Sequence, residues 1–376
     1  MESLSQSELK HYQRQVILPE IGVAGQEALK RAKVLVVGAG GLGVPLLQYL
    51  VAAGVGEIGI VDADSVDITN LHRQVLYSVQ DEGMSKAKVA EEKLKRLNPH
   101  VKINAIQEFI TRENACSIIR EYDIVADGTD NFATRYLIND ACVIEGKTNV
   151  FASITQFKGQ VSVFNFKYED GSFGPNYRDL FPEPPLAGSV PSCAEAGVIG
   201  VLPGLLGTMQ ANEVIKIITK TGKPLVGTLL IYDSLTTILE HLDFERDPNN
   251  PFPAPSKDLV LLDDYEVFCG TKTEVKMKEI SVQELKAWQD EKKDFQFIDV
   301  REPFEYDEAN LGAELIPVGD VEMNKDKISK DKDVVIHCRS GARSANVILY
   351  LEQNHGYTNL YNLKGGILAY QKEIGL

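Results

Sequence analysis

The chain has 376 residues, 44% of them hydrophobic, which is too long for one ordinary core and enough for two. Its formal net charge of −15 argues against a general nucleic-acid binder, which needs a basic surface. The opening stretch MESLSQSELKHYQRQ is polar, and no apolar run reaches the length of a bilayer span. A cytoplasmic protein with no membrane partner is therefore expected.

In chain order, the apolar run Lys33 to Val37 ends in Gly-Ala-Gly-Gly-Leu-Gly, and a helical pattern follows from about Leu42 to Ala53. A second apolar run, Ile58 to Val61, closes on Asp62. Strand, tight turn, helix and strand make one βαβ unit. The alternation continues with a helix over Glu82 to Leu97, a strand over Val101 to Ile106 and a buried strand over Ile124 to Ala126. A helix over Phe132 to Ile144 and a strand over Val150 to Ile154 follow. This pattern predicts a doubly wound α/β fold, Rossmann-like, with a mostly parallel sheet. Gly159 to Phe166 reads as an antiparallel extension, residues 168 to 193 as a Gly- and Pro-rich connection, and Leu205 to Thr219 as an amphipathic helix. The segment ERDPNNPFPAPS, residues 245 to 256, has the composition of a tether. Alternation then restarts with a helix over Val282 to Gln289, strands over Phe295 to Val300 and Val334 to His337, and a helix over Arg343 to Gln353. A last helix falls near Ile367. The expected division is a first domain over 1–245, a linker over 246–277 and a small α/β domain over 278–376.

Gly38, Gly40 and Gly43 fit G-x-G-x-x-G after a strand. Such a turn lets backbone N–H groups approach phosphate at a helix N-terminus. Asp62, at the end of the next strand, is placed to bind a ribose hydroxyl. Alone, this is a dinucleotide fingerprint and fits a nicotinamide-dependent oxidoreductase. Downstream lie Asp64, Asn70, Arg73 and Gln74 in DADSVDITNLHRQ, then Lys86, then Asp130 and Asn131 in D-G-T-D-N. Adenylation needs cations around a triphosphate and a carboxylate for Mg²⁺. Arg73 and Lys86 supply the cations and Asp130 the metal ligand. Hydride transfer needs none of them.

Taken together, G-A-G-G-L-G, D-A-D, N-L-H-R-Q, Lys86 and D-G-T-D-N-F-A-T-R-Y resemble the MoeB/ThiF branch of the ubiquitin-activating superfamily, over about Leu9 to Ser234. R-Q-V-I-L-P-E-I-G from Arg14 and S-C-A-E-A-G-V-I-G from Ser192 are similar too. The resemblance implies a homodimer that binds ATP·Mg²⁺ in each subunit. It implies that Gly41, Asp62, Asn70, Arg73 and Lys86 hold the nucleotide, that Asp130 binds Mg²⁺, and that Arg14 reaches the triphosphate of the other subunit. The implied partner is a ubiquitin-like sulfur carrier of the MoaD/ThiS type ending in Gly-Gly, whose terminal carboxylate is adenylated. Cys193 matches a cysteine that takes a thioester in some relatives; a bystander thiol is the alternative. Relatives carry two C-x-x-C pairs on a structural zinc. Here Asn176 and Asp179 stand at the first pair, and Glu266 and Cys269 are read as the second, so no structural zinc is expected. The five cysteines are scattered and form no C-x-x-C pair.

His337-Cys338-Arg339-Ser340-Gly341-Ala342-Arg343-Ser344 follows an apolar strand and opens a helix. A cysteine among convergent N–H groups and beside arginines is favoured as thiolate, the nucleophilic form. Only four residues separate Cys338 from Arg343, a tighter ring than a cysteine phosphatase uses for phosphate. With D-V-R-E-P-F-E-Y (Asp299 to Tyr306), G-A-E-L-I-P and N-L-K-G-G, the segment from about Lys278 resembles a rhodanese module. A persulfide on Cys338 is implied, fed by a donor such as a cysteine desulfurase. Asp299 and Arg301 read either as braces for the loop or as a surface salt bridge. The expected function is carrier adenylation followed by sulfur transfer, for molybdopterin or a related sulfur-containing cofactor. Molybdopterin is favoured over thiamine and tRNA thiolation because the first domain looks closest to MoeB. The alternatives are an NAD-dependent oxidoreductase, a non-catalytic carrier-binding scaffold, and adenylation of a modified tRNA base.

Overall fold

The computed structural model describes residues 3–185, 197–256, 258–270 and 277–375. Two compact units divide it, one running on through Tyr265 and the other holding the C-terminal part from Glu266. No helix among the described residues is long and apolar enough to cross a membrane.

The first unit is built on eight strands: β1 (Lys33–Val37), β2 (Glu57–Val61), β3 (Lys102–Ile106), β4 (Ile124–Asp127), β5 (Thr148–Thr155), β6 (Lys158–Phe164), β7 (Thr228–Asp233) and β8 (Ile238–Asp243). They lie in the order β3-β2-β1-β4-β5-β6-β7-β8. β1 to β5 pair in parallel, with Val34 beside both Ile58 and Ile124. From β5 onward the pairs are antiparallel. Val34, Leu35 and Val36 are fully buried, as a central strand covered on both faces requires. The chain turns to opposite sides after β1 and before β4, so the carboxyl ends of these two strands frame a crevice.

The helices follow the predicted pattern with shifts at their starts. The helix predicted from Glu82 begins at Lys86, because Gly83 takes a left-handed φ of +78° and Ser85 caps the first turn. The helix predicted from Leu205 begins at Val201, since Pro203 in the first turn has no N–H to satisfy. The β7–β8 hairpin was not predicted. Every residue of β8 is exposed, so no alternation marks it.

Residues 246–256, expected to be a tether, are irregular but not loose. Asn250 and Phe252 are buried. Asn250 Nδ2 donates to Asp179 Oδ1 at 2.7 Å and to Asn176 Oδ1 at 3.2 Å. Asn176 Nδ2 donates to the Phe252 carbonyl at 2.8 Å. Beside this clamp, fully buried Asp140 takes two hydrogen bonds of 2.7 Å from Arg178 and one of 2.7 Å from the Tyr265 hydroxyl. Asn250 thus faces Asn176 and Asp179, a pairing the sequence did not suggest, and Asn139 Nδ2 also donates to Asn176 Oδ1 at 3.4 Å. Their oxygens are occupied by N–H donors, including Arg178 N at 3.0 Å and Asp247 N at 3.0 Å. A cation there would meet donors instead of lone pairs. Purified protein is expected to hold far less than one zinc per chain by elemental analysis, and a chelator should leave its melting temperature unchanged. Stoichiometric zinc, or a drop in melting temperature on chelation, would contradict this.

The second unit has a five-stranded parallel sheet ordered β11-β10-β12-β13-β9. Its strands are β9 (Glu279–Ile280), β10 (Gln296–Asp299), β11 (Glu314–Leu315), β12 (Val334–His337) and β13 (Leu360–Leu363). Ile298, Val334 and Ile336 are fully buried in the core on one face, and Val335 and Leu363 in the core on the other.

Candidate active sites

The crevice at the ends of β1 and β4 is an open cleft of about 330 Å³. It is lined by Gly38, Gly40, Gly41, Asp62, Asp64, Asn70, Arg73, Gln74, Lys86, Asp130 and Asn131, so most of the predicted residues converge. Gly43 does not line it. Its role is steric, since a Cβ there would lie 1.8 Å from the Gly38 carbonyl oxygen and push the helix off the strand.

Each side chain is held from below. Asp62 accepts from Ala39 N at 2.7 Å and Asp64 N at 2.8 Å, so it fastens the glycine turn to β2. Burial pushes its carboxyl up, and those two N–H groups oppose the shift. Arg73 donates to Asn70 Oδ1. Lys86 is buried at the head of its helix, with Nζ 2.9 Å from Asp64 Oδ2. The buried Tyr77 hydroxyl donates to Ala39 O at 2.8 Å and lies 3.3 Å from Lys86 O, tying the turn to the lysine helix. Asn131 Oδ1 accepts from Thr134 N at 2.9 Å and caps the Phe132–Ile144 helix. Capping thus occupies this oxygen of Asn131, and it sets the exposed Asp130 between strand end and helix start.

The cleft fits a nucleoside triphosphate with its metal. It offers a glycine turn of backbone donors, the cations Arg73, Lys86 and Arg135 and the carboxylates Asp62, Asp64, Glu108 and Asp130, and Gln74 Oε1 is buried there without a hydrogen bond. Arg14 is exposed and does not line the cleft of its own chain. Cys193 lies outside the described residues. Sequence reasoning missed Glu108, Phe109, Ile110 and Arg135, which also line the cleft. The first three follow β3 in a segment without any phosphate motif, and only their place at a strand end marks them.

In the second unit, Cys338 directly follows β12 and is fully buried. Gly341, at φ +95°, turns its N–H toward Cys338 Sγ at 3.2 Å and starts the Ala342–His355 helix. Ser344 Oγ lies 3.5 Å from the same sulfur. Arg343 is clamped by both oxygens of Glu305 at 2.6 Å. Arg301 and Asp299 are buried and form a forked pair. Arg301 also donates to the carbonyls of Glu305 and Ala309, at 3.1 and 2.7 Å. The surface-salt-bridge reading of this pair fails: it braces the short helix that presents Glu305. Neither Glu305 nor Ser344 was assigned a role from sequence, because each acts through a contact made only by the fold.

His337 is buried against Phe297, and neither ring nitrogen has a well-formed hydrogen bond. Burial pushes its imidazole down from 6.5 to about 4. The folded unit keeps the ring neutral while the unfolded chain protonates below pH 6.5, so this stability is complete above pH 6.5 and lost as pH falls toward 4. The loss should reach about 3 kcal/mol by pH 4. Trp288, the chain's one tryptophan, packs on Phe295 and Tyr361 in this unit. Its fluorescence in urea titrations should follow the loss, and His337→Phe should flatten it. A His337→Phe variant with an unchanged pH slope would exclude His337 as the cause.

The ThiF family model matches residues 12–252, and the rhodanese-like domain model matches residues 281–373. The chain is 43% identical over 380 residues to the probable adenylyltransferase/sulfurtransferase MoeZ of Mycobacterium tuberculosis, covering 99% of this chain and 95% of that one. It is 53% identical over 268 residues to the sulfur carrier protein adenylyltransferase of Thermus thermophilus, covering 71% of this chain and 99% of that one. It is 38% identical over 394 residues to the adenylyltransferase and sulfurtransferase MOCS3 of Culex quinquefasciatus, covering 99% and 89%. Among solved structures, E. coli MccB with ATP shares the fold at a TM-score of 0.55 and 24% identity, over 64% of this chain and 74% of that one.

Proposed function

Because the chain belongs to the ThiF family and carries a rhodanese-like domain, it is an adenylyltransferase with a sulfurtransferase domain, and we propose that it activates the C-terminal glycine of a ubiquitin-like sulfur carrier and supplies the carrier's sulfur from a persulfide on Cys338. The observation that carries this reading is the convergence of the glycine turn, Arg73, Lys86 and Asp130 at one strand-end cleft. A nicotinamide site has no use for two cations and a metal-binding carboxylate in that place.

ATP lies with its ribose toward Asp62 and its phosphates along the N–H groups of the glycine turn. Arg73 and Lys86 hold the triphosphate, and Arg14 of a second subunit completes the cation set in a homodimer. Lys86 gives up Asp64 for phosphate at little cost, because Asp64 is 57% exposed and rehydrates. Asp130 holds Mg²⁺, which when bound neutralises charge on the phosphate oxygens. The carrier carboxylate attacks the α-phosphorus, the bond to pyrophosphate breaks, and an acyl-adenylate forms. At the second site the backbone N–H groups around Cys338 hold an anionic sulfur. The terminal sulfur of the Cys338 persulfide then attacks the acyl carbon as AMP leaves, giving an acyl disulfide on Cys338. An external thiol attacks Cys338 Sγ, the S–S bond breaks and the carrier thiocarboxylate leaves, and a second thiol frees Cys338 from the resulting mixed disulfide. Cys338 is fully buried, which suits narrow reactants such as a small oxyanion or a Gly-Gly terminus. The pathway we favour is molybdopterin synthesis.

ATP–pyrophosphate exchange tests the reading. It should require a carrier ending in Gly-Gly and vanish when the last glycine is removed. Exchange driven by a tRNA, or none with any Gly-Gly carrier, would overturn it. Comparison of MoaD- and ThiS-type carriers assigns the pathway.

A further inference from the structure

Around Cys338 one hydroxyl proton faces three acceptors. Ser344 Oγ lies 2.6 Å from Asn362 Oδ1, 3.2 Å from Gly341 O and 3.5 Å from Cys338 Sγ. All of this is out of water: Cys338 and Ser344 are fully buried and Asn362 is 4% exposed. The Asn362 amide is oriented by its own bond, Nδ2 to Gly341 O at 3.1 Å, which leaves Oδ1 as the acceptor toward Ser344. With a neutral sulfur, the hydroxyl gives its proton to Asn362, the nearest acceptor. A thiolate in the same place is a charged acceptor, and hydrogen bonds to charged groups are about twice as strong as neutral ones.

From this we infer that Ser344 is a second catalytic residue of the sulfur-transfer site: a hydroxyl switch, parked on Asn362, that turns to Cys338 Sγ whenever that atom bears negative charge. The inference rests on the reading of Cys338 as the sulfur-bearing nucleophile. In loading from thiosulfate, the Cys338 thiolate attacks the outer sulfur. The Sγ–S bond forms, the S–S bond to sulfite breaks, and sulfite leaves with the electron pair. Charge then moves from Sγ to the terminal sulfur, where backbone N–H groups hold it, and the hydroxyl returns to Asn362. In discharge to cyanide, carbon takes the terminal sulfur as thiocyanate and Sγ leaves as thiolate. Loading oxidises the thiolate to persulfide as thiosulfate is reduced to sulfite, and discharge returns the thiolate as cyanide is oxidised to thiocyanate, so neither step needs a further oxidant or reductant. Ser344 therefore assists Sγ as nucleophile in one direction and as leaving group in the other.

The other charged or titratable groups around the loop do not depend on this hydroxyl. Arg343 is paired with Glu305, Arg301 with Asp299 and Lys364 with Glu279, His337 is buried behind the strand end, and Arg339 is exposed. A change at Ser344 thus reads the hydroxyl itself.

The test uses the full chain. Alkylation of Cys338 by iodoacetamide is followed against pH by peptide mass spectrometry, and single-turnover loading with thiosulfate and discharge with cyanide are timed. Ser344→Ala should raise the pH at which alkylation is half-maximal by about one to two units and slow both loading and discharge by about tenfold or more. Ser344→Thr should restore all three. Asn362→Ala, which removes the competing acceptor, should leave that pH unchanged or lower it. Wild-type behaviour in Ser344→Ala would overturn the proposal. So would an equal upward shift in Ser344→Ala and Asn362→Ala, the mark of a purely structural role. If Ser344→Ala fails to fold, the Thr and Asn362 variants decide: a rise in either overturns the switch. If wild-type Cys338 gains no sulfur from thiosulfate, the reading of Cys338 itself fails, a result distinct from any of these.

Discussion

Asp130→Ala is expected to lower ATP–pyrophosphate exchange by about 10³-fold or more, into the background. Asp130 is the carboxylate of the cleft set directly between the end of β4 and the start of the Phe132 helix. Losing one preorganised group in such a site typically costs 10² to 10³ in rate, and here the metal's neutralisation of phosphate charge goes with it. The fold should not suffer: Asp130 is exposed, and such substitutions stay within about 0.5 kcal/mol. Its neighbour provides the control. Asn131→Ala removes a helix cap and should cost about 1 kcal/mol of stability, with a smaller effect on exchange. Arg14→Ala should be inactive alone, yet regain part of its activity when mixed with Asp130→Ala, since one site in the mixed dimer keeps both residues. Undiminished exchange in Asp130→Ala would sink the assignment, and failure of the mixture to recover would count against a shared site.

The other large effect is at Cys338. Cys338→Ser keeps the volume and removes the thiolate, so thiosulfate:cyanide sulfurtransfer should fall to background. Intact-mass measurement after thiosulfate treatment should give one added sulfur on wild type and none on the variant. ATP–pyrophosphate exchange should stay near wild type, because every residue assigned to adenylation precedes β7. Thiocarboxylate formation from a persulfide donor should fall with sulfurtransfer, unless free sulfide is supplied. Arg343→Ala should be milder, since its guanidinium already belongs to Glu305 while the loop N–H groups still serve the sulfur. Sulfur mapped to Cys193 would show that the division of labour between the two sites is wrong.

The parts of this molecule that could be read in its sequence are those whose physics is local. The turn after β1 needs glycine because a Cβ at Gly43 collides with the carbonyl of Gly38, five positions earlier, and D-G-T-D-N carries its strand end and helix cap within five residues. Each of these can be argued from spacing alone. The clamp of Asn176, Asp179 and Asn250 spans more than seventy residues. Nothing near Asn250 announces it, for a proline-rich stretch has the same composition whether it hangs free or lies packed. Glu305 and Asn362 reach the Cys338 loop across 38 and 18 residues respectively. Both had been visible as members of motifs, but which atom each one touches is decided by the order of β10, β12 and β13 in the sheet. The β7–β8 hairpin escaped for the opposite reason: a strand wetted on both faces has no buried side to leave a period.

The Asp140–Arg178 pair has a consequence for the protein's history. Both side chains are almost wholly excluded from water, at 0% and 2% exposure, and the carboxylate also answers Tyr265. Removing either partner strands the other charge at a cost of about 3–5 kcal/mol, whereas replacing both with apolar side chains of similar volume is often neutral or better. The two alternatives are thus separated by an intermediate that forfeits a large part of a domain's whole stability. A lineage that acquired this pair could not abandon it one codon at a time. Arginine and aspartate should therefore be lost or kept together among descendants, and a single exchange should survive only where other changes have first raised the stability of the fold.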